Sequence, residues 1–276
     1  MYDLHLHSIY SDGINTVDDI VKNIFNLNLQ GFSLTDHDTI NGIKEAIELS
    51  KKYKLDFIPG VEFSVTIDNK EVHILGYYID IHNKDINDLI KIAKENRIIR
   101  TKKIIEKLSN LNINIRQDEI EQYSSKDIVS RSHLAQILVD KKICSSIKEA
   151  FEKYLGNDGL AYVKKTSISY TDIINTIKKS GGVSILAHPG DIGDDSIVYD
   201  IIMNGIDGLE IINSKHSLEQ IEKYYNISSK FNLIQTCGSD CHGKVINNYK
   251  YIGKFTLNNK NIKRIKALHK IRTRGI

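Results

Sequence analysis

The sequence predicts an α/β protein, a parallel sheet or barrel with helices outside, interrupted by an all-helical insertion. Three observations predict it. Short apolar strands alternate with amphipathic helices at both ends of the chain. That rhythm breaks near Asn83 and resumes past Gly159, and imidazoles and carboxylates recur at the ends of successive strands.

Taken in order, Leu4-His5-Leu6-His7 alternates with the period of two expected of a strand. Val17, Ile20, Val21, Ile24 and Phe25 follow helical spacing, and Gly31 ends that segment. Phe32–Thr35 reads as the next strand, followed by a helix over Asn41–Tyr53. Phe57-Ile58 leads through Pro59-Gly60 into Val61–Ile67, and Glu71–Ile79 pairs back across a turn at Asp68-Asn69. Helices are then expected at Ile86–Leu108, Gln117–Tyr123, Asp127–Asp140 and Ser145–Tyr154, closed by the Gly156–Gly159 loop. A helix at Thr171–Lys179 restores the alternation, with strands at Val183–Ala187, Gly208–Ile212 and Leu233–Cys237 and helices between them. Residues 1–83 and 160–276 therefore form the expected barrel, and residues 84–159 the insertion.

Composition excludes several classes. At 276 residues, 41% hydrophobic and 26% charged, the chain can bury a core without a disulfide or a metal. A net charge of +3 argues against a long nucleic acid as partner. Met1–His7 has neither a basic nor an apolar signal region, and no apolar run approaches the ~20 residues of a membrane span. A cytoplasmic protein away from membranes is expected. Cys144, Cys237 and Cys241 make no complete disulfide framework, and the Cys237-x3-Cys241 pair reads as packing.

The chemistry lies in the histidines. His5 and His7 project from the same face of an extended segment, and Asp12 follows in Ser11-Asp12-Gly13. Thr35-Asp36-His37-Asp38 closes the second strand, Glu62 follows Pro59-Gly60, and His73 stands on the hairpin partner. Ala187-His188-Pro189 and Ser239-Asp240-Cys241-His242 come much later. Each fragment alone is ordinary, but a barrel converges its strand ends on one mouth. Grouping six of the ten histidines with Asp12, Glu62 and Asp240 is costly unless cations bind them. Nine N/O donors exceed the roughly four that one zinc takes, which suits a cluster of about two or three divalent ions. Manganese, iron, zinc and cobalt all accept such donors. Clusters of this kind activate water and hold both oxygens of an in-line phosphoryl displacement, so phosphoester hydrolysis is the expected chemistry.

In the helical stretch, Arg97 and Arg100 lie three apart on one face, preceded by Asn96, and Ser130-Arg131-Ser132-His133 follows later. Their spacing is equally that of solvated helix charges, although arginine also binds phosphate bidentately.

These motifs together resemble the PHP (polymerase and histidinol phosphatase) superfamily. Asp3–Ser8 with Ser11-Asp12-Gly13, Thr35–Asp38, Gly60–Ser64, Val72–Tyr77, Ala187–Pro189 and Gly238–Gly243 carry the likeness, which spans nearly the whole chain. The resemblance implies a distorted (β/α)7 barrel with a helical insertion and a trinuclear metal site, manganese first and iron or zinc next. It places His5, His7, Glu62 and Asp240 on one ion and Asp12, His37 and His242 on a second. Glu62, His73 and His188 would share the third.

The insertion resembles that of nucleoside 3′,5′-bisphosphate phosphatases and 5′–3′ exoribonucleases. That likeness assigns Asp12, Asn96, Arg97, Arg100, Arg131, Ser132 and His133 to substrate, a small phosphorylated nucleotide or short oligonucleotide that yields inorganic phosphate or 5′-nucleotides. The sequence departs from those relatives at Ser132 and Lys164, where they carry proline, and at Cys241, where they carry phenylalanine. The nucleophile implied is a metal-held hydroxide, with no protein nucleophile and His188 as candidate proton donor. A histidinol-phosphate phosphatase would share the cluster, but three arginines would repel its cationic amine. A metal-stabilised nucleotide sensor without catalysis is the other alternative. No protein partner is expected.

Overall fold

The computed structural model describes residues 1–123, 129–164, 166, 168–243, 251–256 and 259–274. Seven strands follow one another around a single sheet in chain order. They are β1 (Tyr2–Asp3), β2 (Gly31–Leu34), β3 (Asp56–Ile67), β4 (Lys70–Tyr77), β5 (Val183–Leu186), β6 (Gly208–Asn213) and β7 (Ile234–Gly238). Pairing is parallel except for β4, which runs antiparallel to both β3 and β5. The fold is therefore the distorted seven-stranded barrel, with one reversed strand. Helices α1 (Val17–Asn26) and α2 (Ile43–Tyr53) connect the first strands, and α7 (Tyr170–Lys179), α8 (Asp195–Met203) and α9 (Leu218–Lys230) serve the later ones.

The barrel closes between its first and last strands. The Leu4 amide donates to Cys237 O at 3.2 Å, and the Asp240 amide donates to His5 O at 2.9 Å. Leu6 and Cys241 form a parallel bridge, and the His7 amide donates to Cys241 O at 3.1 Å. Gly238 allows this seam, because a Cβ there would lie 2.2 Å from His5 Cβ. The regular first strand is Tyr2–Asp3 and not the expected Leu4–His7. Past Asp3 the chain divides its hydrogen bonds between Thr35 on one side and the β7 extension on the other, so no continuous ladder forms.

The insertion is built from α3 (Lys84–Asn110), α4 (Gln117–Glu121), α5 (Arg131–Asp140) and α6 (Ile147–Ala150), after which Phe151–Leu155 widens into a π-helical turn. The expected single helix over Ser145–Tyr154 is thus two short pieces. The helix expected from Asp127 begins at Arg131, where Ser130 Oγ caps the His133 amide at 3.2 Å; Asp127 and Ile128 lie outside the described residues. Helix α3 belongs to both parts. Ile86 and Leu89 pack into the barrel's outer core, whereas Ile104 and Leu108 join a separate core with Leu134, Leu138 and Leu155. No described helix is long and apolar enough to cross a membrane.

Helix α10 (Asn259–Thr273) was not expected, because its six lysines and arginines dominate the local pattern. It nonetheless buries Ile262 and Ile265 among Tyr2, Ile58, Val183 and Ile234. Its polar side chains engage the starts of the strands. Lys266 pairs with Asp56, Arg264 donates to Leu233 O at 3.0 Å, and Arg272 donates to both oxygens of Asp207 at 2.7 and 2.8 Å. The helix therefore stoppers the N-terminal end of the barrel, opposite the mouth.

Burial alone would raise the Asp207 pKa, but hydrogen bonds from Arg272 and the Ser184 amide, with Lys178 nearby, hold it below the usual carboxylate range. A depressed folded pKa stabilises above the unfolded value of ~3.9 and is lost as pH falls through the folded one. Arg272→Ala should thus lower the melting temperature by at least ~2–4 °C at pH 7. The deficit relative to wild type should shrink as pH falls below ~3.9 when both are followed by circular dichroism.

Candidate metal centre

Four of the strands deliver polar side chains just past their C-terminal ends. His5 and His7 extend β1, His37 follows β2, His188 follows β5, and Asp240 and His242 follow β7. Glu62 lies within β3, and the hairpin register pairs Ser64 with His73, which puts His73 on Glu62's face of the sheet. Three of the residues at the mouth, Asp38, His188 and Asp240, have positive φ of 52°, 24° and 51°, a conformation costly for a side-chain-bearing residue. These bends turn the chain sharply at the strand ends.

Glu62, with no solvent exposure, is the centre. Its Oε1 lies 3.2 Å from His5 Nε2, 3.0 Å from His73 Nδ1 and 3.2 Å from His188 Nε2. Its Oε2 lies 3.2 Å from His7 Nε2 and 3.0 Å from His37 Nδ1. Asp240 Oδ1 is 3.1 Å from His7 Nε2, and Asp12 Oδ1 is 3.2 Å from His242 Nε2. Three sets of donor atoms, each within 4.8 Å of one another, could hold an ion: His5, His7, Glu62 and Asp240; His7, Asp12, His37 and His242; and His37, Glu62 and His73. His188 stands beside the third set, its Nε2 3.3 Å from His73 Nδ1.

The donor set fits divalent ions on its own chemistry. Buried nitrogens or oxygens of His5, His7, Asp12, His37, Glu62, His73, His188 and Asp240 have no aligned hydrogen-bond partner, although they crowd one another. Unsatisfied groups converging on shared points are what ion ligands look like without their ion. The protonation pattern agrees. Burial opposes charge on His7 and His73, yet Asp240 and Glu62 raise His7 to about 10, and Glu62 and Glu71 raise His73 to about 9. Burial pushes His37 down to about 3 and lowers His188, leaving both neutral. Against burial, the surrounding imidazoles hold Glu62, Asp12 and Asp240 well below the usual carboxylate range.

A second layer escaped the sequence reading. Glu210 of β6, fully buried, accepts from His5 Nδ1 at 3.1 Å, from the His188 amide at 2.9 Å and from the Asn213 side chain at 3.0 Å. It holds the His5 proton on Nδ1, so Nε2 faces Glu62 and Asp240. An acid inside the apolar run Gly208–Ile212 was the available signal. Asp36 accepts from the Ser8 amide and hydroxyl at 2.7 Å each and from Ser11 Oγ at 2.6 Å, which fixes the turn carrying Asp12. Lys215 places Nζ 2.8 Å from Asp240 Oδ2 and 3.1 Å from Asp191 Oδ2, with no sequence signal to announce it. His188 Nδ1 is 3.6 Å from Asp191 and its Nε2 3.2 Å from Glu62, so both its nitrogens face acids.

The cluster opens into a cavity of about 530 Å³ whose far wall is the insertion. Asp12, Arg97, Arg100, Arg131 and Ser132 line it, together with Thr101, Ile104 and Phe151. Asn96 and His133 are not on its walls. His133 turns back into its own helix, where Nδ1 accepts the Ser130 amide at 3.3 Å. Arg97 pairs with Asp38, and Arg131 with Glu71. Arg100 donates to Val163 O at 2.9 Å, and burial, then Arg131, push its pKa down to about 10.

A barrel that gathers imidazoles and carboxylates at one mouth defines a metal-dependent hydrolase acting on phosphoester bonds. The chain belongs to the PHP domain family, whose model matches residues 3–179. It is 30% identical over 246 residues to a 5′-3′ exoribonuclease of Haemophilus influenzae, covering 87% of this chain and 89% of that one. It is equally 30% identical over 246 residues to a 3′,5′-nucleoside bisphosphate phosphatase of Chromobacterium violaceum, covering 87% and 86%. A Bifidobacterium adolescentis structure classed as a metal-dependent phosphoesterase superposes with a TM-score of 0.88 at 29% identity, covering 97% of this chain and 96% of that one.

Two outcomes follow. Glu210→Gln sets an amide N–H against donors, and its manganese affinity, titrated against a chelator, should fall roughly 10–100-fold. The second concerns pH. Imidazoles whose folded pKa is raised stabilise fully below ~6.5 and lose that contribution as pH rises through it. Chelator-treated protein should therefore lose thermal stability as pH rises toward about 9 to 10, the range of His73 and His7. Added Mn2+ should restore it, since ions replace the protons.

Proposed function

We propose that the protein hydrolyses nucleoside 3′,5′-bisphosphates and short 5′-phosphorylated RNA, with two or three divalent ions, manganese foremost, as cofactor. The observation that carries this reading is a single cavity with two unlike ends. The barrel end presents the Glu62-centred donors, and the insertion end presents Arg97, Arg100 and Arg131. Bound divalent ions supply an activated water and neutralise phosphoryl charge. Residues 1–83 and 160–276 serve as the catalytic barrel, and residues 84–159 as the substrate domain.

The protein's own groups do the rest. His5, His7, Asp12, His37, Glu62, His73, His188, Asp240 and His242 hold the ions. Arg100 and Arg131, with Ser132, receive a second phosphate that does not react, and that remote contact orients the ester. Glu71 must release Arg131 for this to happen, and its side chain is 42% exposed. A bisphosphate and a 5′-phosphorylated RNA differ only in what lies beyond the reacting phosphorus, so one site serves both. The named activities of the Haemophilus and Chromobacterium relatives support both substrates.

The test offers Mn2+-loaded protein adenosine 3′,5′-bisphosphate, a 5′-phosphorylated RNA pentamer and histidinol phosphate, with released phosphate and nucleotide quantified. Turnover of the first two and not the third is expected. Turnover of none would sink the enzymatic reading in favour of a sensor, and histidinol phosphate alone would move the substrate class. Asp240→Asn should reduce both activities by at least ~100-fold, the scale of losing a metal-centred electrostatic contribution. Full activity with unchanged metal content would place the chemistry elsewhere.

A further inference from the structure

Lys215 belongs to neither the donor cluster nor the arginine wall, yet it lines the same cavity on the barrel side. Its loop is rigid. Asn213 Oδ1 accepts the Lys215 amide at 3.0 Å, and the Asn213 side chain donates to buried Glu210 at 3.0 Å. One residue on, His216 Nδ1 donates to Ile211 O at 2.8 Å, and its Nε2 accepts the Gly190 amide at 3.1 Å. Both flanks are thus pinned, and the lysine is aimed at the mouth. Its Nζ lies 2.8 Å from Asp240 Oδ2 and 3.1 Å from Asp191 Oδ2, while the side chain stays 44% exposed.

An ammonium has three donors and no acceptor. Once Asp240 gives its charge to an ion, Lys215 keeps Asp191 as its acid partner and has donors to spare beside the reacting centre. The arginines cannot take this position. Arg97 is held by Asp38 and Ser64 beside β2 and β3, Arg100 by Val163 O, and Arg131 by Glu71 of β4 and Leu155 O, whereas Lys215 approaches from the β6 side beside Asp240.

We propose that Lys215 binds the reacting phosphoryl group itself, donating to a non-bridging oxygen, and so biases the site toward terminal phosphomonoesters. A terminal phosphate brings one more negative charge than an internal diester, so a fixed cation at that end favours it. This rests on the phosphoesterase reading of the same cavity and names the residue that tunes it.

The experiment compares manganese-loaded wild type, Lys215→Met and Lys215→Arg. Metal content, inorganic phosphate affinity by calorimetry, and kcat and KM for adenosine 3′,5′-bisphosphate and the RNA pentamer are measured. In Lys215→Met, metal content should match wild type while phosphate binding weakens roughly 10–100-fold, the scale of a lost charge-assisted hydrogen bond. Its kcat/KM should fall further for the bisphosphate than for the pentamer, and Lys215→Arg should recover part of both losses. Phosphate affinity within about twofold of wild type would overturn the proposal. So would metal loss in Lys215→Met, which would make the lysine a support for Asp240. If wild type turns over neither substrate, the functional reading fails, and the phosphate titration still decides the role of Lys215.

Discussion

One buried carboxylate organises the protein. Glu62 contacts five imidazoles at 3.0–3.2 Å, and those rings come from the segments after β1, β2 and β5 and from β4. A fully buried acid surrounded this way is tolerable only if positive charge accompanies it, as protons on the rings or as divalent ions. The departure from a regular parallel barrel follows from the same need. Because β4 is reversed, its hairpin with β3 sets His73 next to Glu62 through local register, with no crossover helix between them.

The two ends of the barrel carry opposite tasks. At the mouth, the buried ligand atoms of the cluster lack aligned hydrogen-bond partners, and the backbone is strained at Asp38, His188 and Asp240. At the base, α10 fills the opening with Ile262 and Ile265 and satisfies Leu233 O, Asp56 and Asp207 with its cations. The base offsets part of the cost of the mouth, since an open lower end would expose Tyr2, Ile58 and Val183.

Between barrel and insertion the charges are arranged for exchange. Arg97 and Arg131 rest on Asp38 and Glu71, while Arg100 donates to Val163 O. The Asp38 pair is buried and holds Arg97 in place, whereas the Glu71 side chain paired with Arg131 is 42% exposed, so solvent screens that pair more. Helix α3 joins the two parts, since its first turns pack on the barrel and its later turns in the insertion core.

By itself the sequence determined the α/β rhythm, the helical interruption and the nine clustered donors, because hydrophobic periodicity and residue type at strand ends are local properties. His5 and His7 two apart, or Asp240 and His242, share a face whatever the rest of the chain does. Helix α10 was illegible because its lysines and arginines mask an apolar stripe that is narrow and meaningful only against the barrel base. Only tertiary structure decided that Glu210 orients His5, that Lys215 reaches the mouth, and that the His133 ring turns back to Ser130 on its own helix. Those outcomes turn on where a side chain's neighbours lie in space, and residues more than 200 positions apart, such as His5 and Glu210, meet only because the barrel closes.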